Sequence, residues 1–445
     1  MLRRLFAPID NASLVAFRIA FGVLMLVAVL RYFTHGWIDQ FFIVPRVFFP
    51  YPQLEWIRPL PATAMYALFV GLGMAAAGIA TGCFYRVSVA AFAIGFTYAQ
   101  LIDRTNYLNH CYLVSVLSGL LFVMPAHRAG SLDVRRNPAL RCATTAAWTV
   151  WLLRFQLAVV YVFGAVAKVN ADWLLRAQPL RIWLGANVDL PLVGPWLEHP
   201  WVAFACSYAG LAFDASVVPL LIWRRTRIAA YAAVVVFHLL TATLFPIGMF
   251  PWIMIALTPI FFRPDWPRRV LAVLRRTAVV QESATGRPTP RFTGRQRLGA
   301  AGLALYAAVQ LVIPVRHWWR TGDVQWTEQG FRFAWQIMAM EKYGHAVFRV
   351  TDPATGAARE IVPGDELTPL QTHMMASQPD MILSYARHLA HAHGARDGHP
   401  VAVHADVFVT LNGRPMQRFV DPSIDLAAVA DSTPVSTWLL PRRDS

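Results

Sequence analysis

Apolar runs recur along the chain at 12–32, 62–81, 86–102, 107–125, 146–167, 201–223, 228–245, 247–262 and 298–315. Most approach twenty residues and hold few charges, the pattern of helices that cross the hydrocarbon core of a bilayer. The seventh and eighth are joined only through Phe245-Pro246-Ile247-Gly248, which predicts a tight hairpin or a re-entrant feature. Beyond residue 316 the period changes. The stretch AVFRVTDPATGAAREIV (346–362) reads as two strands about a turn, and 379–393 as an amphipathic helix. In VAVHADVFVTLNGRPMQRFVD (401–421) apolar residues alternate on both sides of Asn412-Gly413, a hairpin signal. The pattern therefore predicts an α-helical polytopic membrane protein of about nine transmembrane helices. The transmembrane domain spans 1–316, and a C-terminal β-rich α+β domain spans 317–445.

The placement of arginine gives this layout a direction. Arg3 and Arg4 precede the first run and Arg86 lies in the turn after the second. Arg128, Arg135, Arg136 and Arg141 follow the fourth, and Arg224, Arg225 and Arg227 follow the sixth. An arginine-rich loop, 263–296, follows the eighth and is a candidate for disorder. Every second connection is basic, so the positive-inside rule puts the N-terminus and the 263–296 loop in the cytoplasm and the C-terminal domain outside it. A formal charge of +15 would suggest nucleic acid had the arginines formed one stripe; in short clusters between apolar runs they read as membrane topology instead. The first run is also too long for a secretory signal. With 56% hydrophobic residues, 15% charged residues and a mean hydropathy of +0.43, the composition belongs to an integral membrane protein. The arginine- and alanine-rich, lysine-poor usage suits a high-GC bacterium, so the expected location is a bacterial inner (cell) membrane. The four cysteines, Cys83, Cys111, Cys142 and Cys206, lack metal-ligand spacing and read as unpaired packing residues.

Of 40 lysines and arginines only Lys168 and Lys342 are lysines, and Lys168 ends an apolar run of more than twenty residues. Lysine, unlike arginine, can shed its proton when desolvated and act as a base. With the alternation above, Lys168, Asn170 and Asp172 lie at the outer end of the fifth run. Asn106, Asn109 and His110 lie at the outer start of the fourth, and the loop bearing Gly248, Met249 and Phe250 is external too. Potential acid–base groups thus converge on the outer half of the membrane, and Asn109, His110 and Lys168 are expected to line one pocket beneath the C-terminal domain. Blander readings stay open. Lys168 at a helix end can snorkel to headgroups, Asp172 can pair with it four residues on, and His110 can be a hydrogen-bonded core histidine. Arg18, Arg154 and Asp214 are buried-charge candidates, the two arginines as ties between helices. His238 lies deeper in its run. The chain carries no HExxH, CxxC pair, phosphate loop or GxSxG.

LNHCYLVSVLSGLLFVMPAHRAGSLD (108–133), FGAVAKVNADWL (163–174), FHLLTATLFPIGMFPWIMIALTPIFFRPDWPRR (237–269) and FRFAWQIM (331–338) resemble the vitamin K-dependent gamma-glutamyl carboxylases. They also resemble the bacterial members of the wider horizontally transferred transmembrane (HTTM) family. PDMILSYARHLA (379–390) and VFVTLNGRPMQRFVDPSIDL (407–426) extend the similarity through the C-terminal part. The resemblance implies that Lys168 deprotonates reduced vitamin K, a naphthohydroquinone, which then reacts with O2. The oxygenated product removes a γ-proton from a peptide glutamate, CO2 adds, and the quinone leaves as the epoxide. His110 and Asn109 match an Asn-His pair at the quinone oxygen, suited to developing negative charge. Lys168 and His110 are the expected catalytic residues. Asn109, Asp172, Asp214, His238, Met249, Trp335 and Met338 are the expected quinone- or substrate-binding residues. The expected partners are membrane lipid, an isoprenoid quinol and a Glu-containing peptide or protein, with no metal and no nucleic acid. A quinol epoxidase that does not carboxylate, and a non-enzymatic lipid or quinone carrier, are the alternatives.

Overall fold

The computed structural model describes residues 2–276, 293–430 and 432–443. Among them, six helices are long and apolar enough to cross a membrane. These are α1 (Ala12–Thr34), α2 (Ala62–Thr81), α3 (Ala147–Ala167), α4 (Pro200–Ile222), α5 (Arg227–Leu244) and α6 (Gly294–Val315). The expectation of about nine is corrected. The runs at 86–102, 107–125 and 247–262 form shorter helices: Tyr85–Leu101 of 17 residues, Asn109–Val123 of 15 and Phe250–Leu257 of 8.

The first of these runs is itself only 17 residues long, and local chemistry trims the other two. Asp103 accepts a hydrogen bond from Thr105 N at 2.9 Å and caps a single 3-10 turn, Arg104–Asn106, which separates two of these helices. Pro246 and Gly248 delay the third, and its C-terminal end tightens to a 3-10 turn, Thr258–Phe261, that contains Pro259. A helix of 17 residues is only about 26 Å long at 1.5 Å per residue, below the roughly 30 Å of a bilayer core.

One end of the bundle gathers the arginine-rich turns. Gly82, at φ +66, lets the chain reverse between α2 and the next helix; a Cβ there would lie 1.9 Å from Arg18 Nη1. Asp133 accepts from Phe84 N and Tyr85 N at 2.8 and 2.9 Å and holds the same turn. Buried Arg18 donates to Gly130 O at 2.6 Å, and Arg154 to Ile260 O and Phe262 O at 2.9 and 2.8 Å, so both tie separate segments together. Residues 277–292 of the arginine-rich loop lie outside the described residues. Ahead of them Trp266–Arg275 is a helix, fixed through Arg268 to Asp10 at 3.0 Å.

At the other end sits the C-terminal unit. Strands β1 (Lys342–Thr351), β2 (Ala358–Ile361), β3 (Ala402–Leu411) and β4 (Gln417–Arg418) form an antiparallel sheet in the order β2-β1-β3-β4. Strands β1 and β3 pair from Lys342↔Leu411 to Thr351↔Ala402, and strict alternation buries one face. The Asn412-Gly413 turn, with φ values of 52 and 75, leads from β3 towards β4. Helices α7 (Pro369–Ser377) and α8 (Pro379–Asp397) cover the buried face. The unit has the mixed helix and strand content expected of an α+β domain, with the helices packed on one face of the sheet.

Val47 and Phe49, from the loop after α1, enter that same core. Arg104 contacts Asp380 and Ser384 at 2.5 and 2.7 Å, and Arg332 joins Asp380 at 2.6 Å. Gln371 donates to Val47 O and Asp103 at 2.7 and 2.9 Å. The sheet unit is therefore docked by buried polar contacts as well as by apolar packing.

Candidate active site

Helix α3 ends at Lys168, and the helical path breaks there. Asn170 begins the short helix Ala171–Arg176, its side-chain oxygen accepting from Trp173 N at 2.9 Å. The Lys168 side chain lies inside the protein, 6% exposed, rather than directed to headgroups. Its Nζ donates to Asp214 Oδ2 at 2.9 Å, Gly164 O at 3.1 Å and Ile337 O at 3.4 Å. The Trp173 ring centre is 5.2 Å away and adds a cation–π contact.

Asp172 is not the partner of Lys168. Its two oxygens accept from Arg414 Nη1 and Nη2, each at 2.7 Å, and Asn412 Nδ2 donates to it at 2.8 Å. Burial alone would push this carboxyl up, but the hydrogen bonds from Arg414 and Asn412 outweigh it and hold the group below the usual carboxylate range. Asp172 thus fastens the C-terminal unit beside the end of α3.

Two adjoining cavities lie beneath that unit. The larger, about 570 Å³, is lined by Asn109, His110 and Met249 together with apolar residues of α1, including Met25 and Tyr32. The smaller, about 200 Å³, contains Lys168, Asp214, His238 and Tyr161 among leucines and phenylalanines. Ile247, Phe250, Ile337 and Met338 line both. Asn109 and His110 therefore stand on one side of a shared wall and Lys168 on the other, where a single pocket was expected. The Phe250 ring lies 6.5 Å from His110 and 5.8 Å from His238. His238 Nε2 and Tyr161 OH are hydrogen-bonded at 3.1 Å.

Ile247 and Phe250 form one part of the wall, and a segment leading into the C-terminal unit forms the other through Ile337 and Met338. Phe333, Trp335 and Met338 have positive φ values of 64, 56 and 51, in the left-handed region that non-glycine residues seldom adopt. Fully buried Trp335 packs 4.8 Å from Tyr112 and so does not line either cavity, while Met338 lines both. Tyr107 OH accepts from Phe333 N at 2.7 Å and donates to Asn109 Oδ1 at 3.0 Å. Asn109 Nδ2 in turn donates to Gln336 O at 3.4 Å. Two consecutive carbonyls, of Gln336 and Ile337, are thereby directed at Asn109 and Lys168.

Two known family models match the chain. The model for the HTTM domain matches residues 6–266, more than half of the chain. The model for the vitamin K-dependent gamma-carboxylase lumenal domain matches residues 295–445. The chain belongs to the HTTM-domain, vitamin K-dependent gamma-carboxylase family. No solved structure matches it. This HTTM-domain protein is an integral membrane protein of the vitamin K carboxylase/epoxidase type.

Several groups at the site of this family member carry no mark in its sequence. The carbonyls of Gly164, Gln336 and Ile337 act through the backbone, so side-chain identity does not point to them. Arg414 is one of many arginines, and only the turn at Asn412-Gly413 hinted that its neighbourhood was special. Tyr161 sits seven residues before Lys168, facing the same cavity two helical turns earlier, a spacing that could have revealed it.

Proposed function

We propose that this protein deprotonates a reduced naphthoquinone at Lys168 and couples the quinol's reaction with O2 to carboxylation of peptide glutamate. The observation that carries the reading is Lys168 Nζ, buried at a wall it shares with a large apolar cavity bearing Asn109 and His110. The residues fit the group: apolar walls suit an isoprenoid-tailed ring, and the few polar groups converge where its oxygens must go. When bound, the quinol supplies with O2 the base that removes the glutamate γ-proton, to which CO2 adds.

The chain's own residues divide the work. Lys168 takes a hydroxyl proton, a role lysine can fill and arginine cannot. Asn109 and His110 stabilise negative charge on the ring oxygen. Met249, Met338 and Phe250 shape the ring's surroundings, and the C-terminal unit covers the cavities through Ile337 and Met338. Asp172 and Trp335 support this site from outside the cavities.

Purified protein incubated with vitamin K hydroquinone, O2 and labelled CO2, with and without a Glu-containing peptide, tests the reading. Epoxide together with label in the peptide is the expected result. Epoxide without label identifies a quinol epoxidase, and quinone binding without epoxide a carrier.

We further propose a domain division at 316/317, with the N-terminus and the 263–296 loop cytoplasmic and 317–445 outside the cell membrane. The arginine-rich turns at one end of the bundle and the sheet unit at the other support it. In a cysteine-free background, Glu360→Cys on exposed β2 should react with a membrane-impermeant maleimide on intact cells, whereas Arg4→Cys should react only after lysis. The reverse pattern overturns the orientation.

A further inference from the structure

Lys168 Nζ is surrounded by enough acceptors to hold a full ammonium. An ammonium has three hydrogens, and three acceptors surround Nζ: Asp214 Oδ2, Gly164 O and Ile337 O. A base must first dispose of one of those protons. Asp214, at 2.9 Å, is the one carboxylate among the described residues that line the Lys168 cavity. The other titratable side chains lining it, Tyr161, His238 and Cys206, are not bonded to Nζ.

We propose that Asp214 is the proton-holding partner that turns Lys168 into a base. The inference rests on the quinol-deprotonation reading. The pair begins as ammonium and carboxylate. One Nζ–H bond breaks and one Oδ2–H bond forms, leaving a neutral amine and a neutral carboxylic acid. The quinol's O–H bond then breaks, Nζ–H re-forms, and quinolate remains beside the ammonium while Asp214 keeps its proton. No other reactant is needed for these two transfers.

The surroundings favour the first transfer once the cavity is filled. Its walls include Leu180, Leu184, Phe237, Leu240 and Phe245, so a ligand that expels water removes the solvation an ion pair needs and leaves the neutral pair the cheaper state. Ile337 O, the longest of the three contacts at 3.4 Å, belongs to the wall shared with the larger cavity. It is the contact an incoming hydroxyl displaces; once Asp214 has taken its proton, rotation about Cε–Nζ turns the amine's lone pair to that hydroxyl.

Infrared difference spectroscopy on binding of menadione, an oxidised naphthoquinone without a tail, reads the first transfer with no turnover. The wild type should gain a carboxylic-acid C=O band that is absent in Asp214→Asn. That variant should keep its affinity for menadione while losing quinol epoxidation by about 10²-fold or more, the range for a positioned acid–base group, and Asp214→Glu should recover part of the rate. Absence of the band in the wild type, a wild-type rate in Asp214→Asn, or a loss of affinity matching the loss of rate would each reduce Asp214 to a wall of the cavity. Failure of the wild type to form epoxide would sink the assigned activity, and the band would still decide whether the pair exchanges its proton.

Discussion

Lys168→Ala is expected to lower quinol epoxidation by ~10²–10⁴-fold, and Lys168→Arg to fail nearly as completely. The two variants disturb the site in opposite ways. Alanine leaves Asp214 buried without the cation now 2.9 Å from it, so part of any loss would be structural. Arginine keeps a cation at that position but holds its proton throughout. A structural or headgroup role for Lys168 tolerates arginine, and proton abstraction does not. The measurement is epoxide formation from vitamin K hydroquinone by membrane-extracted protein, normalised to the fraction that unfolds cooperatively on heating. Lys168→Met combined with Asp214→Asn should restore the unfolding temperature lost in Lys168→Ala and remain inactive. Near-normal turnover by the arginine variant removes Lys168 from the role of base.

The legible part of this protein is the part written in side-chain chemistry over long windows. Apolar runs located the helices, and Lys168, Asn109, His110, Asp214 and His238 were visible as polar groups where hydrocarbon should be. Helix length was less legible. The run 86–102 is no longer than the 17-residue helix it forms, and the helix read at 107–125 starts and stops two residues inside those bounds, at Asn109 and Val123. Partner identity was less legible still. Asp172 lies at the i,i+4 spacing that would place it beside Lys168 on a continuous helix, but the break at Asn170 removes it from that face. It meets Arg414 instead, some 240 residues away in sequence. The wall between the cavities was invisible for another reason. Phe333, Trp335 and Met338 adopt left-handed backbone without glycine or asparagine to announce it, and such conformations persist only where surrounding contacts impose them. The Tyr107–Phe333 and Asn109–Gln336 hydrogen bonds and the burial of Trp335 are such contacts, and each joins the membrane part to the C-terminal unit.

That dependence of the site on docking underlies the other large effect, which belongs to Arg414. Its guanidinium forms two 2.7 Å bonds to Asp172, and the side chains are 6% and 5% exposed, so Arg414→Met leaves a buried carboxylate with Asn412 as its remaining hydrogen-bond donor. Breaking a buried pair from one side costs about 3–5 kcal/mol, whereas replacing both partners with neutral groups is often close to neutral. Arg414→Met should therefore lower the unfolding temperature markedly, make the C-terminal unit sensitive to protease and reduce epoxidation along with docking, because Gln336 and Ile337 leave Asn109 and Lys168 together. Adding Asp172→Asn should recover most of the stability and, with it, the activity. The dependence on pH has a definite sign. Because Asp172 is held below the usual carboxylate range, its contribution is fully present above about pH 4 and is lost as pH falls through the lower native value. Wild-type docking should weaken in that acid window, and the Arg414→Met/Asp172→Asn protein should lack this component. A double variant no more stable than Arg414→Met alone would show that the Asp172 carboxylate is not the source of the loss, and that Arg414 acts through its packing against the 411–414 turn.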